Sequence, residues 1–380
     1  MFLLLLSIIL AVAYFQKDDS QGYYGIKSTP SWVGSISYPD YNPQTDKEKQ
    51  SHGSVTLLSD TQNSFIEEGT YFRNVKKIIS FQGVDKHSIF FQEYEPYYSK
   101  IYLNKAIIIR NGKKINKTKD VIVKIRDKKM LDGNSSFSEF KKISFIIPGV
   151  QKDDIIDYSI LRYENNQISE AKSTILPLKD FRFIKKIHRS VIVEKDEEVF
   201  IKNFSNDIKG IKNHEDDYLK YFWQIKNVDP YGSEVLEQNI PHDENMLPQV
   251  HVSNQSDWSK IVEDNLELYK EPSSLDDNLN NFIKEIANNP NLSKEDKIIK
   301  FTRFVQTDIR YLLLAGNIYN FTPSHPNEVF QTKAGDCKGK TMLLKTMLDE
   351  IGVKSNPVLV SSDRGDSLKS FYLIQIYLIT

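Results

Sequence analysis

Residues 334–341 read Ala334-Gly335-Asp336-Cys337-Lys338-Gly339-Lys340-Thr341 and hold the single cysteine of the chain. Asp336 has the side chain of a helix N-cap, because its carboxylate accepts unpaired first-turn N–H groups, and Gly352 is placed to end the same helix. Cys337 therefore opens a helix. Steps of four, three, four and three predict one inward face through Cys337, Thr341, Leu344, Leu348 and Ile351. A thiol there meets the positive end of the helix dipole beside Lys338 and Lys340, an arrangement that favours the nucleophilic thiolate. First-turn N–H groups are also available to an oxyanion. The plain alternative is an inert Cys serving as a small hydrophobe. A phosphate loop at 334–341, ending in Gly339-Lys340-Thr341, is the other reading, but that motif needs a buried strand before it and residues 324–333 are polar with a proline.

Around this run the apolar period is 3.6. Residues 275–289 and 294–314 read as amphipathic helices, the second with Ser293 and Asp296 in capping-box spacing and an inward stripe through Ile298, Phe301, Phe304 or Val305, and Ile309. A loop with Pro323 and Pro326 leads to the Cys337 helix, and a strand is expected over 357–360. Upstream the period is two. Between 52 and 257 short β-rich runs alternate with turn signals, as in a sandwich or barrel. The clearest is a hairpin in which Ile107-Ile108-Ile109-Arg110 runs into Asn111-Gly112, a type I′ dipeptide. Strands are expected over 121–125, and over 143–147 and 155–161 on either side of Pro148-Gly149. The expected division is an extended lead-in at 14–51, a β-rich sandwich domain at 52–180, a second small β unit at 181–257 and an α+β domain at 258–380.

Lys plus Arg number 50 and Asp plus Glu 51, a net charge of −1, so no global field directs the chain to nucleic acid. The basic stretch 105–129 lacks interleaved aromatics for base stacking. One Cys excludes an internal disulfide and a thiolate zinc cage, and neither His214-Glu215-Asp216-Asp217 nor His242-Asp243-Glu244 has a metal motif's spacing. No flavin or nicotinamide fingerprint is present, so no cofactor or metal is expected. Residues 2–15 form an apolar run with an Ala11-Val12-Ala13 site, read as a signal peptide over 1–13, which implies an exported, periplasmic or secreted protein. The run is shorter than a membrane span, and no span is expected in the mature chain.

Gly335-Asp336-Cys337-Lys338, Leu343-Leu344, Ile351-Gly352-Val353 and Pro357-Val358-Leu359-Val360, with Ile309-Arg310-Tyr311 ahead of them, resemble bacterial exported proteins in which an uncharacterised β-rich N-terminal domain precedes a transglutaminase-like domain of the papain-type cysteine peptidase fold. Upstream, Thr29-Pro30-Ser31-Trp32-Val33, Leu57-Leu58-Ser59-Asp60-Thr61-Gln62 and Pro148-Gly149-Val150 belong to the same resemblance. It implies a β-sandwich-like region followed by an α+β domain, Cys337 as nucleophile, thiol-based acyl transfer on amide bonds as peptidase or transamidase, and a protein or peptide partner. Gly339 stands where the family usually has Asp. The family's catalytic His opens a later strand and an Asp follows it, yet all seven His residues here precede Cys337, the last being His325. Overlaying 373–377 on that strand puts Gln375 in the His position, and Gln takes no proton from a thiol. The resemblance thus implies an incomplete, inactive site and a domain truncated by a frameshift or premature end. A non-catalytic exported binding or scaffold protein is the alternative.

Overall fold

The computed structural model describes residues 23–96, 99–127, 136–138, 140–164, 171–205, 208–231, 248–270, 272, 274–315, 322–358 and 360. The expected leader, His242-Asp243-Glu244 and the 373–377 segment with Gln375 lie outside them. The N-terminal part comprises β1 (Tyr23–Ile26), α1 (Pro43–Asp46), β2 (Ser54–Ser64), β3 (Gly69–Ile78), α2 (Phe81–His87), β4 (Ile89–Tyr94), β5 (Ser99–Arg110), β6 (Lys113–Asn116), β7 (Ile122–Asp127), β8 (Ser136–Ser138), β9 (Lys141–Ile146) and β10 (Ile155–Glu164). It continues with β11 (Ser173–Pro177), β12 (Ile184–Val193), β13 (Phe200–Asn203), β14 (Ile211–His214), β15 (Leu219–Val228) and β16 (Gln249–Ser253).

The hairpin expected at Asn111-Gly112 is present: both residues have positive φ, 50° and 77°, and Arg110 faces Lys113 across the turn. It belongs to a nine-stranded sheet of order β1-β5-β10-β3-β2-β12-β15-β14, with β6 beside β5. The β1–β5 and β2–β12 pairs are parallel and the others antiparallel, so the sheet is mixed. The parallel β2–β12 pair carries the sheet past residue 180. Strands β12, β14 and β15, expected in a separate β unit, extend the main sheet, whereas β13 and β16 join β11 in a three-stranded sheet. Strands β9 and β10 also part company, since β9 pairs with β4 and β7 while β10 pairs with β3 and β5. The Pro148-Gly149 connection crosses between layers.

Period-two alternation gives the main sheet two unlike faces. On β10, Ile156 and Ile160 join Ile101, Leu103 and Ile108 of β5 in packing against Phe90, Ile143 and Phe145 of the β4-β9-β7 sheet. Val191, Val193, Leu219 and Trp223 pack in the same manner against Leu176, Val250 and Val252 of the β11-β16-β13 sheet. The opposite face is polar: Asp60, Gln62, Asp157, Ser159, His188 and Ser190 are all buried on it. It is covered by the segment expected as an extended lead-in. Gln62 clasps Gly34, accepting from its N–H and donating to its carbonyl, each at 2.8 Å. Arg73 donates to the Ile36 carbonyl at 2.6 Å, Lys186 to Ser37 at 2.8 Å and Asn104 to Lys27 at 2.8 Å. Residues 27–41 therefore form a strap held chiefly through main-chain atoms, with Trp32 packed on Tyr71, Leu161 and Ile192.

Charge buried beside β3 carries a stability consequence. Lys76 is 8% exposed and its ammonium lies 3.3 Å from Nδ1 of His87. Burial, followed by the Arg182 charge, pushes Lys76 down to about 8, and burial followed by Lys76 pushes His87 down to about 4. An unfolded lysine keeps its proton to about pH 10.4, so between the two values the unfolded state binds more protons and stability rises with pH. The cost is fully present below about pH 8. Lys76→Met is expected to stabilise the protein at pH 7 by about 1–3 kcal/mol, with the advantage shrinking as pH climbs toward the unfolded value. Urea titrations at pH 7 and pH 10 check this, and equal midpoints for the two proteins at pH 7 contradict it.

The C-terminal part is helical: α3 (Trp258–Leu266), α4 (Asp277–Ala287), α5 (Lys294–Thr307), the short strands β17 (Arg310–Tyr311) and β18 (Leu313–Ala315), α6 (Pro326–Thr332), β19 (Ala334–Gly335) and α7 (Cys337–Asp349). The Ser293–Asp296 capping box forms in both directions. Helix α5 stops at Thr307, short of the 314 expected, because Ile309 turns into the core and the chain then pairs as β17. Leu279, Ile283, Phe301, Val305, Ile309, Val329, Leu343 and Met347 form the core of this part. Backbone pairing of β18 with β8 in parallel joins it to the β-rich part. Among the described residues, no helix is long and apolar enough to cross a membrane.

Candidate functional site

The site is built where α5, α6 and α7 converge. After α5, Lys340 donates to the Ile309 carbonyl at 2.7 Å, and β17 lies parallel to β19 with Arg310 opposite Ala334 and Tyr311 opposite Gly335. Arg310 N–H donates to Lys333 at 2.8 Å and Leu312 N–H to Gly335 at 3.1 Å, so Tyr311 is clamped across from the residue that precedes Asp336. Helix α6 closes against the start of α7. A Cβ at Gly335 or at Gly339 would stand 3.0 Å from a Val329 methyl, tighter than side chains usually tolerate. Gly339, at the position where the resemblance leads one to expect Asp, lies beneath Val329 and Ser324.

Asp336 is the N-cap of α7, and its carboxylate accepts the Gly339 N–H at 2.9 Å. Cys337 is the first residue of the helix and is partly exposed, which puts it at the helix's positive end. The expected inward face is displaced. The buried residues of α7 are Lys338, Gly339, Met342, Leu343, Thr346, Met347 and Leu348, which puts Cys337, Thr341 and Leu344 on the border of the core. Leu343 and Met347 join Val329 and Phe301 in the core, and Leu344 packs against it partly buried.

The lysines also have roles other than the expected one. Lys338 is 4% exposed and forms an ion pair with Asp336, itself 1% exposed, while Lys340 is spent on the Ile309 carbonyl. Both ammonium groups thus have oxygen partners. Tyr311 is one side chain that interacts with Cys337. Burial, then the Cys337 and Asp336 charges, pushes the Tyr311 phenol up from its usual 10.0. The residues Ile309-Arg310-Tyr311 are visible in the sequence, but no spacing rule ties Tyr311 to Cys337, because a two-residue strand pair makes the connection.

His325, the last His before the thiol, is exposed and caps α6, its Nδ1 accepting from Asn327 N–H at 3.2 Å. The phosphate-loop reading fits poorly. Only the two residues of β19 precede the loop, and the Asp336 carboxylate already holds the N–H that a phosphate would use. Among the described residues, no group of three or more His, Cys, Asp or Glu side chains is placed to hold a metal ion. His188 and Asp60 make a buried 2.8 Å pair on the polar sheet face, far in sequence from the thiol.

Residues 67–231 match a family model described as a domain of unknown function with solved structure, DUF3857. No curated protein matches the sequence. Among solved structures, the chain is similar to one described as a "putative protease" from Parabacteroides distasonis ATCC 8503, at 11% identity and a TM-score of 0.59 over 79% of this chain. The chain spans 59% of that protein's length. A yeast LTA4 hydrolase bound to bestatin is similar at 11% identity and a TM-score of 0.25, over 59% of this chain and 31% of its own. The Parabacteroides likeness places this chain in a multidomain, β-rich fold with mixed sheets and a few helices.

Proposed function

We propose that the helical part is a transglutaminase-like domain of the papain type, borne on a β-sandwich-like N-terminal region, and that Cys337 is its nucleophile for acyl transfer on amide bonds. The observation that carries this reading is the partly exposed Cys337 on the first turn of α7, behind a buried Asp336 cap. Fold-level likeness to a protein described as a "putative protease" supports it. In the proposed reaction the Cys337 thiolate attacks an amide carbonyl carbon. A C–S bond forms, the C–N bond breaks, the amine departs with a proton, and water or a second amine resolves the thioester. An extended protein or peptide is the proposed substrate, and export is the proposed setting, in keeping with the apolar run at 2–15.

The test is acylation of the full chain by a peptide thioester, read by intact mass. Wild type is expected to gain one acyl group that maps to Cys337 and Cys337→Ser none. Equal labelling of the two proteins overturns the reading and favours a non-catalytic binding or scaffold protein.

A further inference from the structure

The β4-β9-β7 sheet has one sealed face and one open one. Phe90, Ile143 and Phe145 pack into the main core, with Val123 and Ile125 against them. Alternation along each strand then turns the intervening side chains outward. Ile89 stands opposite Ile146, and Ile146 opposite Ile122, so one aliphatic row crosses all three strands. The next row sets Phe91 and Lys124 on either side of Ser144, and the row beyond it sets Glu93 and Arg126 on either side of Lys142. Ile89, Phe91 and Ile122 remain 43%, 56% and 51% exposed. Scattered singly such residues need no explanation, but brought side by side by the strand register they form a patch.

Charge says what the patch fits. Three cations share the face with one carboxylate, Glu93, and among the described residues none of Lys124, Arg126 and Lys142 forms an ion pair. Asp127 follows Arg126, alternates to the other side of the strand and pairs with Lys141. Lys142 holds its ammonium 3.6 Å from the centre of the Phe91 ring. Aliphatic and aromatic side chains bordered by unpaired cations complement the boundary of an anionic bilayer, where apolar groups enter at the headgroup level while Lys and Arg reach the phosphates. A stable protein partner takes about 20–30 residues a side, far more than three rows on three short strands supply. We propose that the outward face of β4-β9-β7 is a peripheral docking surface for an anionic lipid bilayer, with Ile89, Phe91 and Ile122 entering the headgroup layer and Lys124, Arg126 and Lys142 binding lipid phosphates. The inference is independent of the role of Cys337.

The experiment is lysine acetylation of the full chain by an N-hydroxysuccinimide ester, read by peptide mass. It is run with vesicles of phosphatidylglycerol and phosphatidylcholine in equal parts, with vesicles of phosphatidylcholine alone, and without lipid. The anionic vesicles are expected to slow acetylation of Lys124 and Lys142 by about fivefold or more, the effect of one cation near an anionic surface, and about 0.5 M salt to restore the free rate. Neutral vesicles are expected to leave both lysines unprotected, which separates this face from the apolar run at 2–15, a segment that would enter either bilayer. Lys195, exposed on the turn after β12, is expected to react alike throughout. The pair Phe91→Ser and Ile122→Ser alters exposed side chains only and is expected to lose most of the protection at Lys124 while keeping the wild-type urea midpoint. Absence of protection on anionic vesicles overturns the proposal and leaves the face to a protein partner. Equal protection of Lys195, or of Lys124 on neutral vesicles, overturns it as well. Protection that grows with protein concentration in the absence of lipid assigns the face to a second copy of the chain instead.

Discussion

Asp157→Ala is expected to destabilise the β-rich part by about 3–5 kcal/mol, the range for removing one partner of a buried ion pair. Asp157 receives Arg73 through two parallel bonds of 2.9 Å and Lys105 through a third of 2.9 Å. Side-chain exposure is 8% for the carboxylate, 11% for Arg73 and 25% for Lys105. Without Asp157 the two cations lose the carboxylate that binds them both. The environment already records the strain: burial pushes the Lys105 ammonium down despite Asp157, whereas Asp157 outweighs burial at Arg73 and pushes it up. Arg73 also holds the Ile36 carbonyl, so the strap should loosen with it, seen as faster proteolysis within 27–41. The comparison is Asp127→Ala, which breaks the pair with Lys141. Asp127 is 79% exposed, and its loss should cost far less than that of Asp157. Equal urea midpoints for the two variants would show that burial of the Asp157 network contributes nothing.

The second large effect lies at the start of α7. Asp336→Ala removes the cap on Gly339 N–H and leaves Lys338, 4% exposed, beside no carboxylate. Loss of a cap costs about 0.5–2 kcal/mol and stranding a buried charge about 3–5 kcal/mol, so the charge dominates. Asp336→Asn separates the two, since an amide can still cap but cannot neutralise the ammonium. It is expected to recover about 1 kcal/mol and no more. Thermal melts followed by Cys337 labelling read both variants in the helical part, where fraying of the first turn exposes the sulfur. If Asn restores wild-type stability, the ion pair is without energetic weight.

Local chemistry made much of this structure legible beforehand. Asn111-Gly112 specified its turn, Ser293 and Asp296 their capping box, and Asp336 and Gly352 the two ends of one helix, because each depends on atoms a few residues apart. The rest depended on partners remote in sequence. Nothing near residue 184 announces a parallel neighbour at Thr56, and the 3.6 period alone could not say which side of α7 Val329 would claim. Lys338 departs from its expected role through a near neighbour instead. A lysine beside a thiol resembles an activating charge until the carboxylate two residues back is seen to bind it. Residues 27–41 show no useful periodicity, since several of their anchors are backbone carbonyls, which leave no mark on side-chain pattern.

That strap imposes an order on folding. Its anchors include Lys186, 149 residues downstream of Ser37, and the polar surface beneath it acquires His188 only when β12 has paired with β2. Closing so long a loop is slow compared with forming a hairpin. Residues 27–41 emerge early from the ribosome and are seated late, so the nascent chain must carry its buried charges open to water until the second half of the sheet arrives.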